Sequence, residues 1–361
     1  MATNQYRPDY AVPPGWVLAE RLSVQGISRA EFARRCDRSA KLISEIISGK
    51  APIEPKTALQ FERVLGVGAD IWLGIEKDYQ LHQIREAEAR EAEALAAWAK
   101  SFPLIELANR GVIPKLSSDN QSVGLLFSFF QVASIQAWRT RYATSSVAYR
   151  HSPSLESDEC SLATWLRLAE IEAEEQKCNE YDKSAFKAVL RRVRRLTREP
   201  FDEALKETHK LCNDTGVALS LVEPLPKARL SGAAWWLSPR KPVIALSARH
   251  KTDDHLWFSL FHEAAHILLH SKKDVFVDED NTGGADLEAE ANEWASHFLV
   301  PRSDWRRFAS AGAFTASDIR QFAEEQGIAP GIVVGRLQHE RHLPWKSRLN
   351  RLKLPLEWSV S

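Results

Sequence analysis

Along the first part of the chain, apolar residues recur at helical spacing in short segments. From Pro14 to about Gln80 these are broken by Gly26, Gly49, Pro52, Pro55, Gly66 and Gly74, which predicts a compact all-α unit. Gln83 to Lys100 is rich in Ala, Glu and Arg and reads as a connecting helix with a solvated face, since no heptad is sustained. Residues from about 120 to 215 keep a helical pattern, with an irregular break at Tyr149 to Glu159. The pattern then changes. Val217 to Val222, Ala233 to Leu237 and Pro242 to Leu246 are short, β-branched or aromatic runs, the last two split by Ser238 to Lys241, and they predict a small sheet with a hairpin. Helical spacing resumes to about Glu340, and a basic tail bounded by Pro344 and Pro355 follows. The fold class expected is mainly α and multidomain (α+β): residues 1–80 as a five-helix unit, 81–204 as a helical middle region, 205–310 as helices packed on the small sheet, and 311–361 as a helical segment packed on that unit.

Composition narrows the function classes. A length of 361 residues exceeds what one core usually organises, which supports several units. Lys plus Arg and Asp plus Glu are 48 each, so any basic footprint for nucleic acid must be local. Cys36, Cys160, Cys178 and Cys212 show no CxxC spacing, which argues against cysteine-bound zinc and fits a reducing compartment. The first residues lack an apolar signal region, and Val123 to Trp138, the best membrane candidate, is too short and polar to span, so it reads as a core helix. A cytoplasmic protein without membrane attachment is expected.

Phe261 to His270, FHEAAHILLH, carries the sharpest chemistry. On a helix, His262 and His266 are offset by about 40° and one turn, so both rings can face one ion. Glu263, about 100° round from His262, stands where a carboxylate can accept a proton from water at the ion. Catalytic zinc takes three protein ligands, so a further acid or imidazole is needed from another element. Leu287 to Pro301 supplies candidates. Glu288 is preferred as the third Zn2+ ligand, with Asn292 one turn on orienting a ligand by hydrogen bond; Glu290 and Glu293 compete for the role. His255, His270 and His297 are read first as core or rim histidines, with a catalytic or substrate-contacting role left open. The strand Ala233 to Leu237 could hold an extended peptide by strand addition, or simply carry the helices.

Ile27 to Lys50 shows two short helical patterns with a polar break. Ser28 can cap the first with Glu31 as capping-box partner, and Ser39 can cap the second, which Gly49 ends. Phe32, Ala33, Ile43, Ile46 and Ile47 form the inward face. Arg38, Ser39, Ala40, Lys41, Ser44 and Lys50 are left for double-stranded DNA, with the second helix as reader. Arg29 to Lys50 holds six basic and three acidic residues, a modest excess of three. A protein-binding module that does not touch DNA is the other reading. Farther on, Phe186 to Arg198 (FKAVLRRVRRLTR) concentrates cations on one helix, as a phosphate-contacting face or as a solvated, acid-paired one. Ile319 to Gln338 repeats a helix, Gly turn and helix, without basic groups at its second helix, and is expected to pack on the preceding unit.

Two resemblances follow from these residues. The run from Arg229 to His270, followed by EAEANEWASHFLVP, resembles the ImmA/IrrE family of zinc metallopeptidases; Ala265 stands where many relatives have Gly. It implies a zincin-like domain in which His262, His266 and Glu288 bind zinc and Glu263 is the catalytic base. The implied substrate is a peptide bond in a regulatory protein, a partner repressor or the chain itself. Pro13 to Gln80 resembles the HigA-like antitoxins of the XRE helix-turn-helix class, implying operator binding as a homodimer and autoregulation. The chain runs on for about 280 residues beyond that stretch, so toxin neutralisation does not carry over. An antitoxin-like repressor whose zinc site senses metal or binds a partner without proteolysis is the alternative function.

Overall fold

The computed structural model describes residues 11–115, 119–143, 158–228, 230–247, 252–270 and 284–356. The chain clusters into two compact units, residues 1–97 with 118–123, and residues 98–117 with 124–361. Most of the expected break between Tyr149 and Glu159 lies outside the described residues.

The smaller unit begins with α1 (Pro14–Val24), α2 (Arg29–Arg35), α3 (Ala40–Ile47) and α4 (Pro55–Leu65), and α5 (Ala69–Ala99) starts within it. Its core is made by the residues that the helical spacing turns inward: Leu18, Phe32, Ile43, Ile46, Phe61 and Trp72 are all buried. Phe32 and Phe61 lie 5.0 Å apart, and Trp72 meets Phe61 edge-on at 5.6 Å, so α2, α4 and α5 share one aromatic contact. Gly15 lets α1 cross α3 closely; any side chain there would collide with the carbonyls of Ile46 and Ile47. The Gln83 to Lys100 segment does not form a separate helix. Gly74, expected as a break, lies inside the helix without interrupting it, and with strong helix formers after it the fifth helix continues for 31 residues.

Helices α6 (Leu104–Asn109) and α8 (Ile135–Trp138) belong to the larger unit, and α7 (Asp119–Phe130) ends in it. The expected single core helix over Val123 to Trp138 is thus broken, at Gln131, whose φ of 52° no helix accommodates. Next are α9 (Glu159–Glu175), α10 (Lys183–Leu196) and α11 (Phe201–Asp214), then β1 (Ala218–Leu221), β2 (Gly232–Ser238) and β3 (Lys241–Leu246). The sheet order is β1-β3-β2, with β3 parallel to β1 and antiparallel to β2. Both faces are covered, which is why β3 is apolar and buried almost throughout instead of alternating. Ala218, Ala233, Trp235, Val243 and Ala245 face α9, while Leu219, Ala234, Trp236, Ile244 and Leu246 share a core with α10, α11 and the helices that follow the sheet.

On that second face lie α12 (Asp253–Leu269), α13 (Gly284–Leu299), α14 (Arg302–Ala309), α15 (Ala316–Gln326) and α16 (Pro330–His339). Helix α12 is the centre of this layer. Phe261, Ala264 and Ala265 are fully buried, and Phe261 meets Phe298 of α13 at 5.4 Å. Its first turn is held by the tail. Asp253 accepts from Leu354 N–H at 2.8 Å, and the buried pair Lys353 and Asp254 closes at 2.6 Å. Gly331 and Gly335 of α16 bring backbone against these two aspartates where a side chain would intrude.

Candidate metal centre

Helix α12 presents His262 and His266 from successive turns, and their Nε2 atoms stand 3.1 Å apart. Glu288, in the first turns of α13, reaches both rings: Oε2 lies 3.2 Å from His262 Nε2 and Oε1 lies 3.4 Å from His266 Nε2. The three residues offer donor atoms close enough to share one ion. With Zn–N and Zn–O bonds of roughly 2.0–2.1 Å, neighbouring ligands of a tetrahedral ion are about 3.3 Å apart. The two nitrogens stand at about that separation, and each has one of the two Glu288 oxygens at a similar distance. One donor atom from each residue lies within 4.8 Å of the others, so two imidazoles and a carboxylate fit a zinc ion with one vertex open.

Electrostatics agree with the geometry. Burial disfavours the His262 imidazolium, but the hydrogen bond to Glu288, the charges of Glu263 and Glu288, and the Asn292 side chain outweigh it and hold its pKa above the ordinary value. Burial opposes ionisation of Glu288 as well; the bonds and charges of the two imidazoles prevail and keep the carboxyl well below the usual range. Asn292 stands beside His262, though the buried Nδ1 of that ring makes no hydrogen bond of normal geometry.

Glu263 is not among the three donors. Only 7% exposed, it feels the charges of His262, His266 and Glu288, and burial raises its pKa above the ordinary carboxylate value despite the two imidazoles. Gly232, the first residue of β2, makes room for it. A Cβ at Gly232 would stand 2.8 Å from Glu263 Oε1 and 2.9 Å from its Cγ. The glycine was visible in the sequence; its closeness to an acid 31 positions later was not.

His270 has a more defined place than a rim histidine. Its Nδ1 lies 2.9 Å from Nδ1 of His266, and its Nε2 lies 3.4 Å from Oε2 of Glu290. The i,i+4 step that pairs His262 with His266 is repeated once more, which was the available sequence signal. Glu290 therefore meets His270, and Glu293 pairs with His297 at 3.7 Å, while Glu288 alone of the three acids meets both candidate ligands. His255 is half-buried among Asp254, Lys353 and His339, apart from the donor triangle.

In the smaller unit Ser28 and Ser39 cap α2 and α3 as expected, accepting from Glu31 N–H and Leu42 N–H at 3.2 and 3.1 Å. The Glu31 half of the capping box is a correction. Its carboxylate turns along the helix to Arg34 and Arg35 at 2.6 and 2.8 Å, two charged donors that outcompete one backbone N–H. Ser39, Ala40, Lys41, Ser44 and Lys50 are exposed, with Lys41 3.8 Å from Glu45. Arg38 is half-buried, and its Nε donates to Gln60 Oε1 of α4 at 2.6 Å, so it braces the turn between α2 and α3.

Comparison with known proteins separates the two ends. One relative is an uncharacterized HTH-type transcriptional regulator, YddM, of Escherichia coli (strain K12), 29% identical over 68 residues, 19% of this chain and 72% of that protein. Two solved structures are also similar. A putative antidote protein of a plasmid maintenance system from Nostoc punctiforme is 28% identical over 24% of this chain and 93% of its own, with a TM-score of 0.23. An addiction module antidote protein of a HigA family from Coxiella burnetii is 23% identical over 23% and 91%, with a TM-score of 0.22. Residues 217–338, from β1 through α12 and α13 to α16, match the Peptidase_M78 model, so the chain carries an IrrE N-terminal-like domain at its carboxy-terminal end, behind an amino-terminal region similar to an HTH-type regulator.

Proposed function

We propose that the protein is a DNA-binding regulator whose carboxy-terminal domain is a zinc-dependent endopeptidase acting on a regulatory protein, a partner repressor or itself. The observation that carries this reading is the donor triangle of His262, His266 and Glu288 with a separate, buried carboxyl, Glu263, beside it. A site that only stored or sensed zinc would have no use for that fourth group. The alternative, an antitoxin-like repressor with a zinc sensor, leaves Glu263 and its Gly232 cradle without a task.

A zinc ion held by His262, His266 and Glu288 supplies Lewis acidity toward a scissile carbonyl and toward water. The chain's own groups do the rest. His270 holds the His266 imidazole in place from behind through Nδ1, as the outer partner of a ligating histidine does, and Asn292 stands beside His262. Glu263 accepts the proton of the attacking water and returns it to the leaving amine; burial brings its pKa toward the range where one carboxyl can do both. The outer edge of β2 carries no strand among the described residues and leads into Gly232, so an extended peptide laid along it would run toward Glu263.

For the amino-terminal unit the reading is operator binding through α3, as a homodimer, with Ser39, Ala40, Lys41 and Ser44 toward base edges and Lys50 toward phosphate. It is supported by the exposed polar start of α3 and by the similarity to an HTH-type regulator. Arg38 acts there by bracing the turn.

The experiment is a comparison of new peptide termini in a host lysate incubated with wild-type or Glu263→Gln protein. The reading expects cleavages made by the wild type alone. Identical termini from both proteins would overturn it.

A further inference from the structure

Helix α10 buries Phe186, Leu190 and Val193 in the core of the larger unit, which fixes its opposite face in solvent. Lys183, Lys187, Arg191 and Arg195, all exposed and each four residues after the last, run from the flank of the buried stripe round to that outer face. Successive members of such a series rise about 6 Å along the axis and turn about 40°, so the four form one slanted line roughly 18 Å long. From Lys183 to Arg198 the sequence holds no acidic residue. Within this stretch Arg192 pairs with Glu207 at 2.6 Å, and Arg194 turns inward to donate to the Leu299 carbonyl at 2.9 Å. The four in line have no ion pair among the described residues.

Such a line is costly for an isolated helix. Like charges at i,i+4 repel, each by a few tenths of a kcal/mol, and Lys183 in the first turn also opposes the helix dipole. The next helix, α11, shows the ordinary arrangement, with Asp202, Glu203, Lys206, Glu207 and Lys210 interspersed. In a chain of zero formal charge, α10 therefore stands out as a charge-segregated face with a well-packed back.

We infer that the outer face of α10 is a binding surface for the phosphate backbone of nucleic acid, carried by the larger unit and separate from the helix-turn-helix surface. The charge pattern selects this ligand over an acidic protein. A duplex presents one negative charge per roughly 1.7 Å of axis with no cations between, and a line of four cations can neutralise several at once. Arg191 and Arg195 add forked donors that suit phosphate oxygens.

The test measures binding of the full-length chain to random-sequence duplex DNA over a range of salt. It compares the wild type with the fourfold variant Lys183→Gln, Lys187→Gln, Arg191→Gln, Arg195→Gln. Each neutralised phosphate contributes about 0.9 to the slope of log K against log salt, so the variant is expected to lose about 2 to 4 from it. Arg191→Lys with Arg195→Lys keeps the charge and is expected to keep the slope, which separates charge from helix integrity. An unchanged slope in the fourfold variant overturns the inference, as does loss of slope in the lysine variant. Poly-glutamate competing as well as DNA at equal charge also overturns it. Repeating the comparison in a Lys41→Ala, Lys50→Ala chain tells this surface from α3. The fourfold substitution is expected to remove the same slope there, whether or not the α3 variant is itself impaired.

Discussion

The residue whose state matters most is Glu263, an acid kept away from water and from the donor triangle at once. Gly232→Ala places a methyl group 2.8 Å from Glu263 Oε1, so the carboxyl must shift. Peptide hydrolysis is expected to fall at least tenfold while zinc remains bound, as metal analysis and activity on one preparation would show. His270 acts one step out, through the Nδ1 of His266. Its replacement by Ala is expected to weaken zinc affinity by about 10- to 100-fold, the usual effect of losing such a partner, measurable by competition with a chelator. Protons compete for the same donors. Because His262 holds its proton more tightly than an ordinary histidine, zinc affinity should begin to fall above the ordinary histidine pKa as pH is lowered, and a titration of affinity against pH reads this directly.

At the scale of elements, the first turn of α12 sets the direction of the whole helix that carries His262 and His266, and it is pinned by the tail. Asp253 is 1% exposed, one of its oxygens, Oδ2, has no hydrogen-bond partner, and burial pushes its pKa up to about 6. The folded state thus holds this proton more tightly than the unfolded chain, with its ordinary value of 3.8. The resulting stabilisation is complete below 3.8 and lost as pH rises through 6, so at neutral pH the ionised carboxylate is a burden. Asp253→Asn keeps an acceptor for Leu354 N–H and removes the charge. It is expected to stabilise the larger unit by about 2 kcal/mol at pH 7, with the gain disappearing near pH 4, as thermal melts at the two pH values would show.

For the whole molecule, the parts written in local spacing were legible from the sequence, and those made by distant approach were not. The hairpin of β2 and β3, the caps at Ser28 and Ser39, and the shared face of His262 and His266 each follow from residues within a few positions of one another. The mainly helical fold with one small sheet could be read the same way. The parallel pairing of β1 with β3, the contact of Gly232 with Glu263 and the tail's hold on Asp253 join segments tens of residues apart, and no periodicity encodes them. Gln131 breaks a helix by adopting a positive φ without being Gly or Asn, so composition gave no warning. Glu31 bonds Arg34 and Arg35 and not the backbone at Ser28, because cap rules omit competition from nearby arginines.

All of the proposed chemistry depends on two imidazoles and one carboxylate from the next helix converging on a single ion. Zinc content of the purified full-length chain, measured beside Glu263→Gln and Glu288→Gln, tests this most directly. The account predicts about one zinc per chain in the wild type and in Glu263→Gln, and little in Glu288→Gln. A wild type without zinc under zinc-replete conditions, or a Glu288→Gln chain that retains it in full, would contradict it.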